Sequence, residues 1–331
     1  MLYLEYRNFQ KSRCHSLRKL VVTHNLEQVY VNEIQAVLPD WEIVVGKEIY
    51  KEHIPTAEII LGWKKDIKDL LGDSSTLKWV QTWSAGVNNL PLPTLHERGV
   101  LVTSANGVHA FPISETIFGL MLALTRNIHT YVRNQSSKHW HHAGLKLEIH
   151  GKTIGIIGVG AIGKETAKIA KAFGMKVLGV RNSHLSEEHV DEMYTTAELE
   201  TVLPQCDYVV STLPLTKDTK GLFSKKQFQL MKPDSFFINI GRGEIVVEED
   251  LIQALQTGEI AGAGLDVFEV EPLPENSPLW EMENVIVTPH TSGSTEYYDR
   301  RVVEDIFLPN LRQYINGEKP PINVVDFVKG Y

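Results

Sequence analysis

The chain has 331 residues, about twice the size of a common domain, so two domains or one domain with a large insertion is expected. With 43% hydrophobic, 22% charged and 8% aromatic residues it is an ordinary globular sequence, which excludes disordered, collagen-like and disulfide-scaffold classes. A formal net charge of −8 supplies no basic field to hold a phosphate backbone, so nucleic acid is not expected as a partner. Cys14 and Cys206, far apart, form neither a disulfide framework nor a metal-ligand spacing and fit a reducing compartment. The longest apolar run, Ile117 to Leu124, falls far short of the ~20 residues of a membrane span, so no membrane association is expected. Arg7, Lys11, Arg13, Arg18 and Lys19 make the beginning basic, but it lacks the apolar core of a secretory signal, and the expected location is the cytoplasm.

From Leu20 short β-rich runs alternate with helical stretches: LVVT, EQVYVNEIQAVL, WEIVV, AEIILG, LKWVQTW and VLVTSAN. That alternation predicts βαβ units around a parallel sheet. A single long helix is predicted from Ile113 to about Ser136, apolar on much of its surface and placed between domains or subunits. A second series then runs through KTIGIIGVG, MKVLGV, CDYVVSTLP, SFFINIG, IAGAGLDVF and NVIVTPH. Residues from about Thr295 to Gly317 read as a returning helix, closed by the proline-containing GEKPPINVV.

The second series opens with chemistry. Gly158, Gly160 and Gly163 have the G-x-G-x-x-G spacing directly after an apolar strand and before the helical KETAKIAKAFG. Such a turn needs Gly158 for tightness, a bare backbone at Gly160 for a pyrophosphate and close helix packing at Gly163, with the helix N-terminus at Ala161 and Ile162 facing the anion. A dinucleotide site is the expectation. An NAD site commonly places Asp or Glu at the end of the second strand. Here MKVLGV ends in Arg181, 23 positions beyond Gly158 (181 − 158), followed by the uncharged donors Asn182 and Ser183. A 2′-phosphate suits those residues, so NADP(H) is the preferred cofactor, and NAD(H) stays open.

Three further strands end in reactive side chains: INIGRGEIV with Arg242, GLDVFEVEPLP with Asp266 and Glu271, and VTPHTSG with His290. Carboxyl ends of parallel strands form the ligand crevice of an open α/β sheet. Reduction of a 2-keto acid needs a fixed cation for the carboxylate, a proton donor beside the carbonyl and an anion to keep that donor protonated. Arg242 can bind a carboxylate bidentately, and Glu271 can support His290 as the acid. The His139, His141 and His142 cluster in HWHH does not put a ligand pair on one helical face, so no metal is expected.

These segments, GVGAIG, INIGRGE, GLDVFEVEPLP and TPH, with SAGV at Ser84 to Val87, closely resemble the D-isomer-specific 2-hydroxyacid dehydrogenase family over nearly the whole chain from Leu20. The resemblance implies catalytic roles for Arg242 (substrate-binding arginine), Glu271 (orienting glutamate) and His290 (general acid), with Asp266 meeting the nicotinamide end of the cofactor. It also implies substrate contacts from Trp83 and from the backbone amides around Ala85 and Gly86. Thr212, Leu213 and Pro214 become a wall beside the cofactor, and Ile240, Gly241 and Arg242 a further cofactor-facing segment. Arg181, the NQSSKHW stretch ending at Trp140 and the VKGY terminus resemble the glyoxylate/hydroxypyruvate reductase A branch, with Trp140 expected over a substrate pocket or against a partner subunit, or as a plain core or surface tryptophan. Two positions depart from the family pattern: Asn88 replaces a frequent Asp, and Ser114 replaces a small apolar residue before Glu115.

The expectation is an α/β protein of two doubly wound parallel-sheet domains. A Rossmann cofactor domain at 107–291 is inserted into a flavodoxin-like substrate domain at 1–106 and 292–331, with the cleft at their junction. The expected activity is NADPH-linked reduction of small, glyoxylate- or hydroxypyruvate-like 2-keto acids to D-2-hydroxy acids by a homodimer. The alternatives are action on bulkier 2-keto or 2-hydroxy acids within the family, and a non-catalytic NAD(P)H sensor on the same fold. A 3-phosphoglycerate dehydrogenase, with an acid expected at 181, and a formate dehydrogenase, with glutamine expected at 271, fit less well.

Overall fold

The computed structural model describes residues 17–72, 75–87, 89–142, 145 and 147–327. Cys14, Asn88, most of the basic beginning and the VKGY terminus lie outside the described residues. The chain divides into two units, Met1–Asn106 with Tyr297–Tyr331, and Gly107–Glu296.

In the first unit strands alternate with short helices: β1 Lys19–Val22, α1 Gln28–Val37, β2 Glu42–Val45, α2 Tyr50–His53, β3 Ile59–Leu61, α3 Ile67–Leu70, β4 Trp79–Gln81, α4 Leu92–Glu97 and β5 Leu101–Thr103. All pairings are parallel, in the order β2-β1-β3-β4-β5. Residues such as Val21, Ile60 and Val80 are wholly buried because a parallel sheet is covered on both faces. That strand order is the flavodoxin-like one, whose switch point lies between β1 and β3.

The second unit comprises α5 Ala110–Thr125, α6 Ile128–Ser136, β6 Thr153–Ile157, α7 Ala161–Ala172, β7 Lys176–Val180, β8 Glu192–Tyr194, α8 Leu199–Val202, β9 Tyr208–Ser211, α9 Lys225–Leu230, β10 Phe236–Asn239, α10 Glu248–Thr257, β11 Gly262–Leu265 and β12 Val285–Val287. Its seven strands are parallel in the order β12-β11-β10-β9-β6-β7-β8, the doubly wound dinucleotide arrangement, reversing between β6 and β9. The chain returns to the first unit through α11 Tyr298–Arg300 and α12 Leu308–Ile315, where Phe307 and Tyr314 pack against the buried Trp79 ring.

Two helices differ from the sequence reading. The single helix expected from Ile113 to Ser136 is two, because Asn127 takes a left-handed conformation (φ 53°) that a short amide side chain tolerates. His129 Nδ1 lies 2.9 Å from the Ala123 carbonyl and helps close the end of α5. The apolar side chains of α5, including Ile117 and Met121, are buried within the second unit, where the helix packs on α7, β10 and β11. The returning helix is also interrupted, by a wide π turn at Arg301–Phe307. Pro309, in the first turn of α12, has no N–H to offer the preceding turn, which accounts for the widened winding. The short edge strand β8 gave no sequence signal, since three residues show no usable alternation.

Candidate active site

The glycine loop follows β6 at the switch point. Gly158 has φ +111°, and a Cβ there would lie 2.9 Å from Thr212 Oγ1 and 3.0 Å from the Leu213 nitrogen. The closeness has a purpose: Thr212 Oγ1 donates to the Gly158 carbonyl at 2.5 Å, joining the ends of β6 and β9. Gly163 lets α7 descend onto the loop, since a Cβ would stand 2.6 Å from the Gly158 oxygen. Gly160 caps α7 and faces open space, and no hydrogen bond occupies the Ala161, Ile162 or Gly163 amide among the described residues. A positive helix end with free donors beside a bare backbone fits a dinucleotide pyrophosphate.

Ser114, the departure noted above, is fully buried; its Oγ lies 3.1 Å from Thr166 Oγ1 and 3.4 Å from the Ile162 carbonyl. It thus ties α5 to the first turns of α7. Beyond β7, the Arg181 side chain is only 20% exposed and engaged. Nη1 donates to Glu187 Oε2 at 3.2 Å, and Nη2 donates to the Leu185 and Ser186 carbonyls. Asn182 Oδ1 accepts from Thr196 Oγ1 at 3.2 Å, while Ser183 is half-buried. Pro214 turns its carbonyl to Thr219 Oγ1 at 2.7 Å, and Ile240 is buried with its N–H on the Ser211 carbonyl.

The reactive side chains follow β10, β11 and β12, adjacent strands of the same sheet. Arg242 is exposed in an extended conformation, and its Nη1 donates to the Gly241 carbonyl at 2.6 Å. Buried Asn239 holds this segment from beneath: its Nδ2 donates to the Arg242 carbonyl and its Oδ1 accepts from the Gly241 N–H. Arg242 makes no ion pair among the described residues, which leaves its guanidinium available for an anion.

His290 Nδ1 stands 2.7 Å from Glu271 Oε2, and Glu271 Oε1 accepts from the Phe268 N–H at 3.0 Å. Burial pulls the Glu271 carboxyl upward, but the bonds from His290 and Phe268 outweigh it and hold it below the usual carboxylate range. An ionised Glu271 fixes the proton on Nδ1 and turns Nε2 outward. His290 has φ +53°, a conformation fixed by its surroundings. Those surroundings include Asp266, wholly buried: Oδ1 accepts from Thr288 Oγ1 (2.6 Å) and the Thr291 N–H (3.0 Å), Oδ2 from the Ser292 N–H (3.0 Å). Asp266 therefore grips both sides of the loop that carries His290.

In the first unit, Trp83 to Gly86 follow β4. Thr82 Oγ1 and Ser84 Oγ donate to the Ser84 and Gly86 carbonyls, turning those oxygens into the loop. Ala85 and Gly86 are exposed, and their N–H groups donate to nothing among the described residues. The Trp83 ring stacks on His24 with centroids 4.6 Å apart, and its carbonyl accepts from Tyr298 Oη. Burial first, and the Lys64 and Lys47 charges second, push His24 down to about 4. Trp140 is 100% exposed. Neighbouring His139 and His141 stack on one another, and among the described residues no His, Cys, Asp or Glu group is arranged to hold a metal ion.

The family model for the D-isomer specific 2-hydroxyacid dehydrogenase NAD binding domain matches residues 118–292. The chain belongs to this family. A glyoxylate reductase of Pyrococcus horikoshii is 35% identical over 323 residues, covering 92% of this chain and 94% of that protein. A D-isomer specific 2-hydroxyacid dehydrogenase family protein from Aeromonas salmonicida has a TM-score of 0.79 at 35% identity, over 94% of this chain and 100% of that one. An NADPH-dependent glyoxylate/hydroxypyruvate reductase from Sinorhizobium meliloti, solved with NADP and sulfate, has a TM-score of 0.73 at 30% identity, over 95% and 100%. The chain is an NAD(P)-dependent oxidoreductase, a 2-keto acid reductase of this family.

Sequence reasoning missed Asn239, Thr288, Lys164 and Glu187. Asn239 immediately precedes IGRG and Thr288 immediately precedes Pro289–His290, so adjacency to the motifs was the available signal. Glu187 sits in an irregular stretch where nothing marks it.

Proposed function

We propose that the protein is an NADPH-preferring reductase of small 2-keto acids, of the glyoxylate and hydroxypyruvate type, giving D-2-hydroxy acids, with NADH also accepted. The observation that carries the reading is the Glu271–His290 pair at 2.7 Å, with Arg242, which has no carboxylate partner among the described residues, following the neighbouring strand β10. Arg242 binds the substrate carboxylate through its planar guanidinium. A reduced nicotinamide bound at the glycine loop would supply the hydride for the carbonyl carbon. His290 delivers the proton to the carbonyl oxygen from Nε2, while Nδ1–H stays on Glu271. Asp266 acts by holding the His290 loop and by lining the cofactor's nicotinamide end.

Residues 107–291 serve as the cofactor domain in this reading, and 1–106 with 292–331 as the substrate domain. NADPH preference draws support from Arg181, from the lack of an acid at that position and from the relative solved with NADP. A homodimer is proposed because Trp140, Val132, Ile128 and Phe111 leave apolar surface exposed around α5 and α6. A cytoplasmic location is part of this proposal. Among the described residues no helix is long and apolar enough to cross a membrane.

Steady-state kinetics test the cofactor half. Arg181→Asp should lower kcat/KM with NADPH and shift the NADPH/NADH ratio by tenfold or more; on the order of 1.4 kcal/mol, one charge-assisted contact, corresponds to tenfold. An unchanged ratio would remove Arg181 from the account. His290→Ala should reduce kcat by about 10²- to 10⁴-fold with cofactor binding intact.

A further inference from the structure

The loop after β7 contains an anion site already filled by the chain itself. Glu187 Oε2 accepts from Lys164 Nζ at 2.8 Å and from Arg181 Nη1 at 3.2 Å. Lys164 is the fourth residue of α7, directly behind the glycine loop, and Arg181 directly follows β7. The two cations therefore come from the two elements that flank the adenosine ribose in a dinucleotide fold. Lys164 first, and Arg181 with it, hold the Glu187 carboxyl below its ordinary range against the opposing effect of burial. The Glu187 side chain is 18% exposed, more sheltered than a solvated surface acid.

The fit is incomplete in a way that points to a larger anion. Arg181 Nε is buried and has no hydrogen-bond partner among the described residues. A carboxylate reaching Nη1 through one oxygen leaves that donor unsatisfied, which costs about 1–3 kcal/mol. A phosphate presents three acceptor oxygens and close to two negative charges, enough to engage Nε and an Nη of one guanidinium together with a lysine.

We propose that Lys164 and Arg181 form the 2′-phosphate site of the cofactor and that Glu187 is its built-in competitor, occupying the two cations until a phosphate displaces it. This rests on the dinucleotide reading of the glycine loop. Glu187 then sets how strongly the enzyme discriminates: the phosphate must break two existing contacts to bind, whereas NADH leaves them intact. NADPH preference is smaller than two free cations would give, and both cofactors remain usable.

Calorimetric titration of the whole protein with 2′,5′-ADP and with 5′-ADP tests this without turnover. Glu187→Gln keeps the shape and removes the charge. It should tighten 2′,5′-ADP about tenfold and leave 5′-ADP within about twofold, tenfold being about 1.4 kcal/mol. Lys164→Met should weaken 2′,5′-ADP by a similar factor, and in that background Glu187→Gln should give a visibly smaller gain. If 5′-ADP binds and Glu187→Gln leaves 2′,5′-ADP unchanged or weaker, the competitor role is wrong while the dinucleotide site stands. If neither nucleotide binds the wild type, the dinucleotide reading fails and this proposal with it. Thermal melting of Glu187→Gln without nucleotide checks the fold, and a variant that melts with the wild type makes either result decisive.

Discussion

Asp266→Asn is the substitution whose effect can be worked most fully from the structure. The carboxylate is completely buried and accepts three hydrogen bonds, two on Oδ1 from Thr288 and Thr291 and one on Oδ2 from Ser292. Asparagine keeps one oxygen. If that oxygen takes the Oδ1 position, the amide nitrogen faces the Ser292 N–H, so one bond is lost and two donors oppose each other. A hydrogen bond to a charged acceptor contributes about 1.5–3 kcal/mol, and the two remaining bonds lose their charge assistance, so a local cost of ~2–4 kcal/mol is expected. That cost falls on the Thr288–Ser292 loop and moves His290, whose backbone has a left-handed conformation set by this grip. Amide hydrogen exchange should show Thr291 and Ser292 losing about 30-fold or more in protection, each tenfold being ~1.4 kcal/mol, with the β6 and β9 amides unaffected. The kcat should fall at least tenfold. Unchanged exchange at those two amides together with a wild-type kcat would show that Asp266 does not position the loop.

Arg242→Lys should lower kcat/KM by about 10- to 100-fold, with KM and kcat both affected, because a lysine cannot present a planar fork to a carboxylate. Its melting temperature should stay that of the wild type, since Arg242 makes no ion pair among the described residues; a kinetically normal but less stable variant would identify a structural role instead. Glu271→Gln should reduce kcat by about 10- to 100-fold, the loss of one charge-assisted contact to His290, and a variant with the wild-type pH–rate profile would refute the pairing. His24 should make the first unit acid-sensitive. Its value falls from 6.5 unfolded to about 4 folded, so the unfolded chain binds the extra proton between those pH values, and stability is lost as pH falls through that window. Denaturation of His24→Phe at pH 7 and pH 4.5 should show a smaller difference than the wild type; equal differences would remove His24 as the cause.

Much of this was legible before any coordinates, for identifiable reasons. The strands are short buried apolar runs, and the glycine loop lies within one strand–turn–helix unit, so local sequence contains all that decides it. Arg242, Glu271 and His290 stand at strand ends, and parallel topology alone aligns such ends on one edge of the sheet. What stayed hidden depended on distant partners. Nothing in GLDVF discloses that the Asp266 oxygens also hold residues 22 to 26 positions later. Arg181 read as an open cation because the sequence does not show the chain doubling back to bring Glu187 onto it. The α5–α6 break needed one backbone angle at Asn127, although the asparagine was there to be read as a left-handed helix end. The exposure of Trp140 follows from a whole chain's packing and has no local signal at all.

The central claim is a 2-keto acid reductase in which His290 gives the proton. The most direct test is loss of reduced-cofactor absorbance with NADPH and NADH, for the wild type and His290→Ala, against glyoxylate, hydroxypyruvate, pyruvate and bulkier 2-keto acids. The account predicts turnover by the wild type, fastest with NADPH and the small acids, and a kcat lowered by about 10²- to 10⁴-fold in the variant at an unchanged cofactor Kd. A wild type that binds NADPH yet turns over none of these acids, or a His290→Ala enzyme that keeps most of its kcat, would contradict it.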